Sequence, residues 1–349
     1  MNLCVSVCMS ISPKNCLFLH SPLLCISLFI LLRVSPPPHF VRESLHLPIL
    51  LSGLSALPVR PSKCRSLEIF QKKTLRGFLK LSKSSPTPAL FFLFGELPIE
   101  GLLHIRTLGL FHNILSNPSR TVFLMIKYIL MMSSSNSTTW ANHVQLLCLK
   151  YGLPCPLSLL RQSEVTPCIC KEDWNILVKT RVTVWYEREL RNQALQNSKM
   201  KYLNVSLTGL SGQPHPVLHN ILSTQDAKKL RLHLKFLTCD FFCNELISRY
   251  QPAISSACVL CPSPSPVDSI EHALVSCLAM TEIRSRLYPE LVNTVAQVKP
   301  NCDILRENPS APVLTQFILD CTSLNLPQTL RIPADQPGID KICKISRDW

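Results

Sequence analysis

The sequence predicts a mainly α-helical fold: an irregular helical body with a small Cys-Cys-His-Cys knuckle, behind a leader that is poorly ordered or a lone apolar helix. Three observations lead there. From about Ser62 onward apolar residues recur at three-to-four spacing. The chain has 28 prolines against 9 glycines, and the prolines cluster between the periodic stretches and interrupt them. Near the C-terminal end, Cys258, Cys261, His272 and Cys277 fall in one short window as C-x2-C-x10-H-x4-C.

With 349 residues there is room for two ordinary domains, and a 46% hydrophobic content is ample for a core. The balance of 36 basic against 22 acidic residues gives +14, a field that favours polyanions. An odd count of 17 irregularly spaced cysteines fits a reducing compartment, hence an intracellular, nuclear or cytoplasmic setting. No P-loop, G-x-S-x-G, H-E-x-x-H or G-x-G-x-x-G is present, which removes the commonest enzyme classes. Four regions are expected: a leader over 1–61, a helical body over 62–250, a metal-binding segment over 251–285 and a tail over 286–349.

The leader carries the apolar run Leu23-Leu-Cys-Ile-Ser-Leu-Phe-Ile-Leu-Leu32 behind Lys14, the outline of a signal peptide. The run falls short of the ~20 apolar residues of a membrane span, and no A-x-A-type cleavage site follows. A membrane contact would run only through 23–32. In the body, Leu67, Phe70, Leu75 and Phe78/Leu79 mark one helical face, while Lys72, Arg76 and Lys80, with Lys83 beyond, mark a basic one. Ser84-Ser-Pro-Thr-Pro88 is expected to end that helix. Residues 89–132 read as three apolar helices, the first turning at Gly95 and Pro98. His104 and His112 lack partners at metal-ligand spacing and read as core or surface residues. Another helix runs from Trp140 to about Tyr151.

Cys148, Cys155, Cys168 and Cys170 match no familiar metal knuckle. Trp174 to Arg191 reads as an amphipathic helix with its aromatics inward. Ser223 or Thr224 can cap a helix that continues to about Tyr250 and bears Lys228, Lys229, Arg231 and Lys235. A basic helix leading into a metal knuckle is a credible phosphate-binding surface.

The knuckle itself supplies thiolates from one tight C-x2-C turn and a second pair, His272 and Cys277, from a short apolar segment. Those two lie about 140° apart on an α-helix, so they converge only if Cys277 sits where the helix ends or bends. All four positions of a tetrahedral Zn2+ would be filled by protein, which makes the ion structural.

Taken in order, these stretches resemble the C-terminal region of non-LTR (LINE-type) retrotransposon reverse transcriptases. The resemblance rests on Leu67-Glu-Ile-Phe-Gln-Lys-Lys-Thr-Leu-Arg76, Leu93-Phe-Gly-Glu-Leu-Pro-Ile-Glu100, Leu102-Leu-His-Ile-Arg106 and the closing C-x2-C…H-x4-C. It implies a thumb-like helical connector followed by a zinc-binding segment with Cys258, Cys261, His272 and Cys277 as ligands. The polymerase chemistry of that family needs adjacent aspartates to hold two metal ions, and this chain has no Asp-Asp pair. The expectation is therefore a non-catalytic remnant that binds RNA or DNA through basic helices. The alternative is a membrane-associated or adaptor protein whose zinc only staples the fold.

Overall fold

In the computed structural model the described residues are 51, 54–57, 61–117, 120–132, 139–163, 170–205, 209–210, 212–219, 221, 223–262, 266–298, 309–320, 322 and 336–349. Most of the leader, including the run 23–32, and Cys168 lie outside the described residues. The chain divides into two compact units, Met1–Leu54 and Ser55–Trp349. The second holds α1 (Pro61–Leu79), α2 (Thr87–Phe94), α3 (Ile99–Leu115), α4 (Thr121–Met132), α5 (Trp140–Tyr151) and α6 (Pro156–Ser163). It continues with α7 (Lys171–Leu195), α8 (Thr224–Leu237), α9 (Asn244–Tyr250), α10 (Thr281–Val298), α11 (Ala311–Leu319) and α12 (Gln336–Asp348). The fold is mainly α: among the described residues the one strand-like pairing is an isolated antiparallel bridge between Ala257 and Val267.

The body is built around α2. Every residue from Pro88 to Phe94 is buried, so this short helix is apolar all round rather than on one face. Gly95 ends it at φ 63°, and a Cβ there would lie 1.9 Å from the Gln213 carbonyl oxygen. That closeness lets the chain return over α2: the amide of Gly212 donates to the Gly95 carbonyl at 2.8 Å, and that of His215 to the Leu93 carbonyl at 2.8 Å. Only glycine meets both the left-handed backbone and the close approach.

α1 and α7 pack on this helix, and α3 packs along α7. Along α7, Trp174, Val178, Val182, Tyr186, Leu190 and Ala194 are buried at strict four-residue spacing, and the Trp174 indole donates to the Leu108 carbonyl at 3.0 Å. Of the aromatics expected inward on this helix, Trp174 and Tyr186 are in the core and Trp185 is half-buried against it. His104 and His112 are buried too, the latter stacked on Trp174.

Three boundaries differ from the sequence reading. On α1 the buried row is Gln71, Leu75 and Leu79, and Phe70 is 43% exposed. The register is set by Gln71, whose amide donates to the Leu97 carbonyl and whose oxygen accepts from the Ile99 amide at 2.8 Å. It caps α3, whose first amides have no partner of their own. Next, α1 stops at Leu79 because Lys80 takes φ 53°, and the prolines that follow open α2 instead: Pro86 is its N-cap and Pro88 sits in its first turn. Finally, the single helix expected up to Tyr250 is two, α8 and α9. Cys239 at φ 48° breaks it, and the amides of Asp240 and Phe241 both return to the Lys235 carbonyl. Asp240 is drawn aside by Ser84, Ser85 and Lys199, the last at 3.0 Å. At the front of α8, Ser223 and Asp226 form a full capping box.

A second core lies between α10, α11 and α12, centred on Leu291, Val295, Phe317, Ile318 and Ile342. Asp320, at the end of α11, fastens it to the body. Its buried carboxylate faces His215 Nε2 at 3.2 Å and accepts from the Asn204 amide at 2.6 Å and from the Thr322 amide and hydroxyl. Burial alone would raise the Asp320 pKa; the facing His215 and these donors reverse that and hold it below the usual range. An aspartate lowered in the fold stabilises fully above its unfolded value of about 3.9, and the contribution fades as pH falls below that. Asp320→Ala is expected to cost about 3–5 kcal/mol. Urea denaturation at neutral pH checks the loss, which should shrink in acid.

Candidate metal centre

The segment after α9 closes on itself before it meets a metal. The Cys258 amide donates to the Pro266 carbonyl at 2.8 Å, and the Asp268 amide to the Ser256 carbonyl at 2.8 Å, on either side of the Ala257–Val267 bridge. This pins the two ends of the intervening loop. Asp268 in turn caps α9, accepting from the Asn244 amide at 2.9 Å through its carboxylate, while the Asn244 side chain donates to the Ala257 carbonyl at 3.0 Å. The knuckle is thereby keyed to the helix that precedes it.

The second ligand pair sits on a single π-helical turn, His272–Ser276. The Cys277 amide donates to the His272 carbonyl at 2.7 Å, an i to i−5 bond, and Cys277 leaves the turn with extended backbone (φ −62°, ψ 123°). The wide turn removes the 140° conflict of an α-helix, so His272 and Cys277 face the same point. Their convergence at a helix end is what the spacing required.

All four ligand atoms lie within 4.8 Å of one another. Cys258 Sγ is 4.0 Å from Cys277 Sγ, Cys261 Sγ is 3.8 Å from Cys277 Sγ, and Cys261 Sγ is 3.4 Å from His272 Nε2. Tetrahedral bonds of ~2.3 Å to sulfur and ~2.0–2.1 Å to nitrogen imply edges of about 3.5–3.8 Å, and these three separations of 3.4, 3.8 and 4.0 Å lie close to that span. Cys258, His272 and Cys277 are buried and Cys261 half-buried. His272 turns Nε2 toward Cys261 Sγ and Nδ1 toward the Ser276 hydroxyl at 3.3 Å, so an ion held at Nε2 would leave the proton on Nδ1 with the hydroxyl to orient the ring. Backbone amides of Leu278 and Ala279 point at Cys261 Sγ and, Leu278 foremost, hold that thiol below its ordinary range. Burial pushes the Cys277 thiol up. Four protein ligands leave no position for water or substrate, so a bound ion here staples rather than catalyses.

Outer contacts tie the centre to both cores. Lys201 pairs with Glu271, the residue before the histidine. Arg284 donates to the Cys277 carbonyl, and the indole of Trp349 donates to the Leu274 carbonyl at 3.0 Å. Val275 packs on the second core and Leu274 on the first.

The basic residues named from the sequence divide. Lys72 pairs with Glu68 at 3.1 Å, and Arg76 donates to the Ser85 carbonyl at 2.9 Å and is lowered in pKa by burial. Lys80 and Lys83 are exposed beyond the end of α1. On α8, Lys229 pairs with Asp348 at 2.5 Å, whereas Lys228, Arg231 and Lys235 are exposed and share one stripe at i, i+3, i+7.

Sequence reading missed a polar cluster on α3, α5 and α7, in which His104 and Tyr151 are buried and Glu100, Lys150 and Trp185 half-buried. His104 Nδ1 meets the Tyr151 hydroxyl at 2.6 Å, Glu100 lies 3.7 Å from both His104 Nε2 and Lys150 Nζ, and Lys150 Nζ sits 4.0 Å over the Trp185 ring. Burial, then Lys150 and His143, push the His104 imidazole down to about 3, so it is neutral. Glu100 and His104 lie four apart on one helix face, a legible signal; Lys150, Tyr151 and Trp185 reach them only through tertiary packing. Cys148 is buried while Cys155 and Cys170 are exposed, and among the described residues only Cys258, Cys261, His272 and Cys277 form a metal-sized group.

Comparison with protein-family models, with curated proteins and with solved structures gives no match.

Cys277→Ser and His272→Ala are each expected to abolish stoichiometric metal binding, whereas Cys170→Ser should leave one ion per chain. Elemental analysis of the purified variants reads this directly.

Proposed function

We propose that this chain is a non-catalytic nucleic-acid-binding protein, a remnant of the C-terminal region of a LINE-type reverse transcriptase, held together near its end by structural Zn2+. The observation that carries the reading is the exposed stripe of Lys228, Arg231 and Lys235 on α8, one short helix ahead of the Cys-Cys-His-Cys centre. Three thiolates and one imidazole at tetrahedral spacing suit Zn2+ above the harder divalent ions, which prefer oxygen. The net charge of +14 adds an attraction of the same sign over the whole surface. The reverse-transcriptase ancestry rests on the order of sequence stretches from Leu67 to Cys277, and the absence of an Asp-Asp pair argues against polymerase activity in this chain. Asp240 pairs with Lys199, Asp320 faces His215, and each accepts from further donors inside the fold, as structural aspartates do.

The stripe and the anchored cations behave differently in this reading. Lys228→Ala/Arg231→Ala/Lys235→Ala should weaken RNA and DNA binding broadly and flatten the dependence of log affinity on log salt by about 2–3. Arg76→Ala should lower stability instead and leave the salt slope nearly unchanged. A fluorescence-anisotropy titration over a range of salt concentrations separates the two. An adaptor with no phosphate contacts would bind little at any salt, and an unchanged slope in the triple variant would count against α8.

Chelation tests the zinc separately. Since the binding free energy of a structural ion is folding free energy, removal should expose amides from about Ala257 to Ala279 while leaving those of α2, α3 and α7 protected. Hydrogen exchange with and without chelator measures both, and loss of protection throughout the body would contradict a local staple.

A further inference from the structure

We propose that the outward half of α4 is a self-association surface, and that its occupant is a second copy of this chain. α4 is apolar on both sides. Phe123, Ile126 and Leu130 face the core at 0%, 7% and 4% exposure, while Val122, Leu124, Met125, Tyr128, Met131 and Met132 are 51–68% exposed on the other side. On a 100° helical wheel those six residues spread over one continuous half of the helix. The only charged residue of α4, Lys127, is half-buried at the edge between the two halves.

Scattered apolar residues on a surface need no explanation, but a contiguous uncharged half-helix does. Six large side chains at these exposures present on the order of 700 Å² per copy, beyond the usual largest patch of a monomer. Two copies meeting about a twofold axis would cover about 1,400 Å² in all, within the range of a standard protein interface. The same residues would serve on each side, as an isologous contact requires, with α4 packed antiparallel on its counterpart.

Charge selects the occupant. A chain of +14 repels its copies over most of its surface, and the repulsion between close exposed charges survives at 0.1 M salt, where screening acts over about 10 Å. The outward half of α4 is a face on which two copies can touch without opposing like charges. A lipid surface is the poorer fit, because an interfacial helix sets its lysines and arginines on the face opposite the apolar one. Here that opposite face is spent on the protein's own core. Three methionines and a tyrosine also match the composition of protein interfaces, where flexible thioethers adapt to a partner and the tyrosine adds area.

Analytical ultracentrifugation of the zinc-loaded full chain is expected to show mass rising with concentration from 39.3 kDa toward twice that value. Leu124→Glu/Tyr128→Glu should remain at the monomer mass throughout, with unchanged far-UV circular dichroism and one zinc per chain. A wild type that stays monomeric up to roughly 100 µM overturns the proposal, as does a dimer that the double variant leaves intact. Should the double variant fail to fold, a photo-crosslinker replacing Tyr128 in a mixture of isotopically light and heavy chains gives an independent reading. Light–heavy cross-links landing on α4 are the expected result, and cross-links landing elsewhere defeat it. Monomeric wild type that sediments with phosphatidylserine vesicles, while the double variant does not, would assign the face to lipid and likewise defeat it.

Discussion

One backbone hydrogen bond decides whether this chain has a metal centre. The bond from the Cys277 amide to the His272 carbonyl closes a five-residue turn where an α-helix would have used four. With an ordinary turn the imidazole and the third thiolate would point to different sides, and Cys258 and Cys261 would have no partners to meet. With the wide turn all four atoms gather in a space one ion can fill. The rest of the C-terminal half is arranged to hold that turn. Lys201 pulls on Glu271 just before it, Arg284 holds the Cys277 carbonyl just after it, and Trp349 bonds Leu274 in its middle. The turn also sits between two cores, with Leu274 facing one and Val275 the other.

Much of this was legible in the residues. Four ligands at the right spacing, with a stated requirement that the last one lie at a helix end, described the centre closely, because ligand chemistry constrains geometry locally. Helices α3, α4 and α5 were readable from their own apolar runs, with α3 opening after Pro98 and α5 at Trp140. What escaped was set from a distance. Gln71 takes a core position because it caps a helix twenty-eight residues later, and no pattern within α1 signals that. The break between α8 and α9 follows from Asp240 reaching Ser84 and Ser85, more than 150 residues upstream. Proline misleads in the other direction: Ser84-Ser-Pro-Thr-Pro88 reads as a stop, yet Pro86 and Pro88 start α2.

Charge needed the same correction. A row of cations at helical spacing looks alike on α1 and α8, but the two rows have different neighbours. Lys72 and Arg76 are committed within the fold, to Glu68 and to the Ser85 carbonyl. Lys228, Arg231 and Lys235 stand in solvent. Sequence gives the number of positive charges; only packing tells which of them are available to a polyanion.

The paired amides that seal the knuckle have a practical side. Because Cys258 bonds Pro266 and Asp268 bonds Ser256, the positions of the first cysteine and of the π-turn are set at the ends of the loop that carries Cys261, not by the stretch that follows Cys261 within it. Extra residues placed in that loop would lengthen an already closed ring, and doubling such a loop costs only about 0.6 kcal/mol in closure entropy. The spacing between the second cysteine and the histidine is therefore the least constrained number in the ligand pattern. A peptide epitope or a fluorophore-binding tag inserted there would report on the knuckle without replacing any of its four ligand side chains.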